Sequence, residues 1–259
     1  MEKKSFQDLT NLMTRLRAPG GCPWDREQTL QSLKPFVIEE AYEVVDAIDR
    51  GDTAALVEEI GDFLLQAVFL SEIGRLEGSF DIDDCVTAIH DKLVRRHPHV
   101  FADVKADTAG AVLTNWEKMK SAERAEESKS LLSGLPVSLP ALLKATRMTE
   151  KAARIGFDWN RTDEVFEKVE EEILELKEAI TSGESRKIED ELGDLLFTVA
   201  NLSRKLGVNA EESLQAANRK FQKRFEWMEL TSRERSVAFD ELNHEEMNAL
   251  WNEAKSSTT

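Results

Sequence analysis

Glu171-Glu172-Ile173-Leu174-Glu175, followed sixteen residues later by Glu191-Leu192-Gly193-Asp194, decides how this chain is read. Residues three apart share one face of a helix, with Cβ atoms roughly 5–6 Å apart. Glu172 with Glu175, and Glu191 with Asp194, therefore form two pairs of converging carboxylates. Each like-charge pair weakens an isolated helix by a few tenths of a kcal/mol. The same pattern stands in the first half as Glu39-Glu40-Ala41-Tyr42-Glu43 and Glu59-Ile60-Gly61-Asp62, at one constant offset of 132 residues. The register continues into Phe63-Leu64-Leu65 against Leu195-Leu196-Phe197, which identifies an internal duplication.

A helix pair that accepts such repulsion next to strongly apolar residues implies a positive charge between its acids. Glu172, Glu175, Glu191 and Asp194, and in the first copy Glu40, Glu43, Glu59 and Asp62, offer only carboxylate oxygens. That donor set suits a hard divalent cation, Mg2+ or Mn2+, rather than zinc or copper. Gly61 and Gly193 sit inside the motifs, where a mid-helix glycine costs roughly 1 kcal/mol against alanine. Close backbone approach or room for a ligand is the expectation there. A solvated acidic face is the plain alternative, and the recurrence in both halves argues against it. A di-iron carboxylate bundle would need Glu-x-x-His on two helices, and no such pair exists.

The 259 residues leave room for two ordinary domains, and the repeat assigns residues 1–127 to one, 128–140 to a linker and 141–259 to the other. The formal charge of −16 argues against nucleic acid and anionic membrane surfaces as partners. Cys22 and Cys85, the absence of an N-terminal apolar signal and the lack of any membrane-length apolar run lead to the expectation of a cytoplasmic protein with free thiols.

The pattern is helical nearly throughout. All six prolines lie at or before Pro140, and period-2 alternation between hairpin turns is absent. Helices are expected at about Ser5–Arg17, Leu30–Arg50, Asp52–Arg75, Asp83–Arg96 and Ala109–Ala125. The second half should add Ala141–Ile155, Asp163–Thr181, Ser185–Leu206 and Asn209–Thr231, with a short last helix holding Trp251. Ile173, Leu176 and Ile180, with Leu192, Leu195, Leu196 and Val199, supply apolar stripes. The fold class is all-α: two helical bundle domains with a four-helix-bundle type of core, expected to be completed by dimerisation, with the other half of the chain as the alternative cover for the apolar faces.

Lys220 and Arg224 share a helix face, and Lys92 and Arg96 repeat that spacing. Trp251 echoes Trp116 and offers a ring that can stack on a base or fill a core. At the offset of 132, Lys168 corresponds to Phe36 and Lys187 to Ala55, so only the second half has extra cations beside its acids. The C-terminal copy is therefore expected to be the main catalytic one.

The acidic pattern resembles the signature of the MazG family of all-α nucleoside triphosphate pyrophosphohydrolases. Gly21-Cys22-Pro23-Trp24-Asp25, Arg95-Arg96-His97-Pro98-His99-Val100-Phe101 and Gly156-Phe157-Asp158-Trp159 also look like segments of its two-domain form. The resemblance implies Mg2+-dependent hydrolysis of nucleoside triphosphates, ATP among them, to monophosphate and pyrophosphate. It further implies broad base specificity, a nucleotide-pool house-cleaning role and a homodimer. Catalysis would fall to Glu171, Glu172 and Glu175, and metal binding to Glu172, Glu175, Glu191 and Asp194. Nucleotide contacts would come from Lys168, Glu171, Glu172, Lys187, Asp190, Asp194, Lys220, Arg224 and Trp251. A non-catalytic helical regulator that binds metal or nucleotide is the alternative.

Overall fold

The structure, a computed structural model, describes residues 3–102 and 130–258 and, between them, residues 108, 110, 112, 115 and 119. The chain divides into two compact units, Met1–Glu123 and Arg124–Thr259. Every regular element among the described residues is helical, as the all-α reading requires. No helix among them is long and apolar enough to cross a membrane. Trp116 and most of the helix expected around it lie outside the described residues.

The first unit contains α1 (Phe6–Arg17), α2 (Pro23–Glu27), α3 (Lys34–Arg50), α4 (Thr53–Glu77), α5 (Ile82–Arg96) and α6 (Pro98–Phe101). Its centre is the α3–α4 hairpin. Gly51 closes α3 in the left-handed region at φ 65°, where L side chains are strained, and Asp52 then caps α4 by accepting from the amides of Ala54 and Ala55. Met13, Leu33, Val68, Phe69 and Ile73 form the buried core. The short α2 and α6 fall where the sequence pattern suggests a loop and a helix end, because each starts on a proline suited to a first turn. His97 ends α5 by donating from Nδ1 to the Leu93 carbonyl at 2.7 Å.

The second unit contains α7 (Ala141–Ala153), α8 (Thr162–Ser182), α9 (Ser185–Lys205), α10 (Ala210–Glu234) and α11 (His244–Ser257), with a 3-10 turn at Phe239–Glu241. α8 and α9 repeat the hairpin, turning on Gly183 at φ 72°. Ala145, Ala200 and Ala210 bring α7, α9 and α10 close, and Met228, Leu250 and Ala254 seal α10 against α11. The loop before α8 is tied down by Asp158, whose oxygens lie 2.6 Å from Arg204 and 2.9 Å from Lys205. Burial alone would raise the Asp158 pKa, but these two cations hold it below the usual carboxylate value. Ahead of α7, Lys151 donates to the carbonyls of Leu131 and Ser133, fixing the turns there.

The expected apolar stripes do not all go inside. Ile180, Leu192 and Leu196 remain about half exposed, as do Phe63 and Leu64 in the other hairpin, where Val57 is more exposed still. The glycines within the motifs also differ from one expectation: a Cβ at Gly61 or Gly193 would meet nothing within 4 Å. Close backbone approach does not explain them; open space does fit.

Gly21 is a different case, since a Cβ there would lie 2.2 Å from the Leu16 carbonyl oxygen, a backbone atom. Gly21→Ala is therefore expected to destabilise the first unit by about 1–3 kcal/mol. A lower urea midpoint with unchanged slope would register the loss.

Candidate functional site

In the α8–α9 hairpin, Glu172, Glu175 and Glu191 each bring a carboxylate oxygen within 4.8 Å of the other two. Two helices are needed for this, because α8 supplies an i, i+3 pair and the Gly183 turn returns α9 alongside it. Glu172 is buried at 4 % exposure, Glu191 is half-buried and Glu175 stands at the exposed rim. Withdrawal from water pushes the Glu175 pKa up; Lys168 offsets part of this, while Glu191, Glu172 and Glu171 add to it.

Lys168, one turn ahead, places its ammonium 2.7 Å from Glu171 and 2.9 Å from Glu172. These two hydrogen-bonded acids raise its pKa further above the ordinary lysine value. Asp194, the fourth acid expected at the centre, is exposed on α9 and stands outside the converging triplet. Asp190 is exposed as well. Lys187 pairs with Glu184 at 2.7 Å, within the turn that joins the hairpin.

Lys220 is exposed on α10, and Arg224 one turn later lies with its guanidinium 5.7 Å from the centre of the Trp251 ring. Its Nε is buried without a hydrogen-bond partner. Trp251 also meets Phe221, ring centres 5.2 Å apart, so the cation and the indole share one surface of α10 and α11. Phe221 escapes a motif-based reading, although its place beside Lys220 is a usable signal.

The α3–α4 hairpin repeats the triplet with Glu40, Glu43 and Glu59, again within 4.8 Å of one another. Asp62 is near enough to push Glu40 and Glu59 upward, after the larger effect of their withdrawal from water. Gln66 donates from Nε2 to Glu40 at 3.2 Å, a contact missed in the sequence although Gln66 lies two turns beyond Glu59 on the same face. In place of a lysine, Phe36 sits one turn before Glu40 and packs edge-on against Trp24 at 6.0 Å.

Both triplets can hold a small, hard divalent ion: the donors are all oxygen, close together and negatively charged, with no histidine or cysteine among them. Among the described residues, an ammonium contacts the second-unit triplet, whereas at the first-unit triplet Arg50 acts on Glu59 and offsets part of the upward push of its acidic neighbours.

The model of the MazG nucleotide pyrophosphohydrolase domain matches residues 28–101 and 161–228, spans that contain both acidic hairpin motifs. A nucleoside triphosphate pyrophosphohydrolase/pyrophosphatase MazG of Thermotoga maritima is 43% identical over 250 residues, 96% of this chain and 95% of that protein. A nucleoside triphosphate pyrophosphohydrolase of Escherichia coli K12 is 44% identical over 253 residues, 95% of each chain. The protein YabN of Bacillus subtilis is 44% identical over 251 residues, which is 96% of this chain but 51% of its own length. With its domain matched in two spans and relatives aligned over nearly their full length, the chain belongs to the MazG nucleotide pyrophosphohydrolase family.

Proposed function

We propose that this protein hydrolyses nucleoside triphosphates between the α and β phosphates, releasing a nucleoside monophosphate and pyrophosphate, chiefly at the second-unit site. The observation that carries this reading is the oxygen triplet of Glu172, Glu175 and Glu191 with the Lys168 ammonium 2.9 Å from Glu172. The names of the full-length relatives support the reaction class.

Glu172, Glu175 and Glu191 would hold Mg2+ or Mn2+, with Asp194 joining from the next turn of α9. When bound, the ion supplies Lewis-acid polarisation of the phosphate oxygens and offsets the repulsion between substrate and acids. Glu171 takes a proton from the attacking water, which adds to the α phosphorus as the bond to the bridging oxygen breaks and pyrophosphate departs. Lys168 and Lys187, with Lys220 and Arg224 from α10, neutralise charge gathering on the phosphates. Asp190 contacts the nucleotide, and Trp251 stacks on the base. A grip made of these groups reads phosphates more than bases, which supports broad specificity and a house-cleaning role in the nucleotide pool. The half-exposed apolar residues of both hairpins support a homodimer that covers them. Light scattering at a single-chain mass would contradict that assembly.

Glu172→Gln and Glu175→Gln are each expected to lower pyrophosphate release by about 100-fold or more, with the helical circular dichroism unchanged. Full activity in both variants would overturn the assignment. Lys168→Met should chiefly raise KM for the triphosphate. Chelation should abolish turnover, and added Mg2+ or Mn2+ should restore it.

The raised pKa of Glu175 fixes the sign of a pH effect. In the metal-free protein its ionised form is disfavoured by folding, so it opposes stability above its folded pKa. That opposition fades as pH falls through the folded value and is gone below the unfolded one. Turnover runs the other way, because a protonated Glu175 cannot hold the ion. Measured against Glu175→Gln, the melting temperature of the chelated protein should rise on acidification through this range, while turnover at saturating Mg2+ falls.

A further inference from the structure

The duplication reaches beyond the acidic hairpins to the helices that precede them. Met13-Thr14-Arg15 of α1 corresponds to Ala145-Thr146-Arg147 of α7 at the same offset of 132, and Met13 and Ala145 are both buried. On that register Thr10 and Asn11 stand where the second unit has Leu142 and Leu143, and Glu72 and Arg75 where it has Arg204 and Gly207. In the second unit Leu142 packs against Ala145, Ala200 and Ala210, so α7, α9 and the first residue of α10 close on one another. In the first unit a cavity of about 170 Å3 lies between α1, α4 and the start of α5.

Its lining is polar. Gln7, Thr10, Asn11 and Thr14 are spaced three and four apart and so share one face of α1. Gln7 donates from Nε2 to Thr10 at 3.0 Å and to Asn11 at 3.1 Å. From α4 comes Glu72, a carboxylate only 6 % exposed. It accepts from Nε and Nη2 of Arg75 at 2.8 and 2.7 Å and from the Thr14 hydroxyl at 3.2 Å. An ionised carboxylate accepts about four hydrogen bonds, so Glu72 keeps an acceptor position open. Asp81 and Asp83 line the cavity from the start of α5, where Asp81 also caps the helix by accepting from the Asp83 and Asp84 amides. Arg75 is the cation of this lining and is already held by Glu72, so the charges of Asp81 and Asp83 outweigh it.

We propose that this cavity binds a small organic cation carrying several N–H groups, of the amine or guanidinium class, whereas leucine closes the equivalent place in the second unit. A positive ligand offsets the excess of acid, and its N–H groups meet the hydroxyl, amide and carboxylate oxygens of the walls. An anion would face the acids unaided, and an apolar molecule would leave the polar walls without partners. Glu72 lies thirteen residues beyond Glu59 on α4, about 20 Å along the helix, so the cavity is separate from the acidic triplet. The proposal does not rest on the catalytic reading.

The test titrates agmatine, which carries an amine at one end and a guanidinium at the other, into the full chain and follows the heat of binding. Inorganic phosphate serves as the anionic counterpart. The expected result is saturable agmatine binding and no phosphate competition. Thr10→Leu combined with Asn11→Leu, which installs the residues of the second unit, should abolish binding with the helical circular dichroism unchanged. Replacing the exposed Asp83 by Asp83→Asn should weaken binding by about tenfold. Glu43→Gln and Glu175→Gln, in the two acidic hairpins, should each leave it within about twofold. The proposal is overturned by absent agmatine binding, by phosphate that displaces agmatine, by binding that survives the leucine pair or Asp83→Asn unchanged, or by binding that either hairpin variant removes. Pyrophosphate release plays no part in the readout, so failure of the catalytic assignment would leave this result standing.

Discussion

Repulsion between carboxylates held on adjacent helices is the constraint around which both units are arranged. Three acids with oxygens inside 4.8 Å of one another weaken the helix pair that carries them. Each hairpin resists this with a left-handed glycine that fixes the turn, Gly51 or Gly183, and with contacts further along the helices. In the first unit those contacts are a compact apolar core around Phe69 and Ile73. In the second they are small residues, with Val165 and Ala200 fully buried, together with the ion pairs that tie Asp158 to α9. The electrostatic strain thus sits in the middle of each hairpin, and the packing that tolerates it sits elsewhere.

Much of this was legible in the sequence, and the reason is periodicity. A spacing of three puts Glu172 and Glu175 on one helix face wherever the helix goes, and the duplication confirms the register. The hairpin turns follow the helix bounds expected from the sequence, because Gly51-Asp52 and Gly183 act over only a few residues. What spacing could not reveal was the direction of side chains that have a choice of partner. Lys187 has Glu184 one turn away and takes it, and Asp194 lies outside the triplet although its i, i+3 relation to Glu191 is the same as that of Glu172 to Glu175. Gln66 was invisible for another reason: a neutral amide does not stand out in a motif defined by charge. Of the two readings of Gly61 and Gly193, close backbone approach is excluded, because a Cβ at either would meet open space.

The apolar residues teach a related lesson. Helical periodicity shows which face is apolar, but it does not show what covers that face. Leu192, Leu196 and Phe197 follow directly on Glu191 and Asp194, yet all three are substantially exposed, as are Phe63 and Leu64 at the corresponding place in the first unit. Apolar surface adjoining an acidic cluster has a second consequence. It limits water around the carboxylates on one side and strengthens every charge interaction there. The upward displacement of Glu40, Glu59 and Glu175 by desolvation fits this arrangement in both hairpins.

Duplication allows two nearly identical acid clusters to answer the same electrostatic problem in different ways. An ammonium at the position of Lys168 relieves repulsion at once and also prepares the site for an anion, but it competes with any metal for the same carboxylate. An aromatic ring at the position of Phe36 removes that competition along with the anion-binding charge. The two requirements conflict at a single position one turn before the buried glutamate, so one copy cannot satisfy both equally well. A single exchange, phenylalanine for lysine between positions 36 and 168, therefore separates two acid clusters that the duplication otherwise keeps alike.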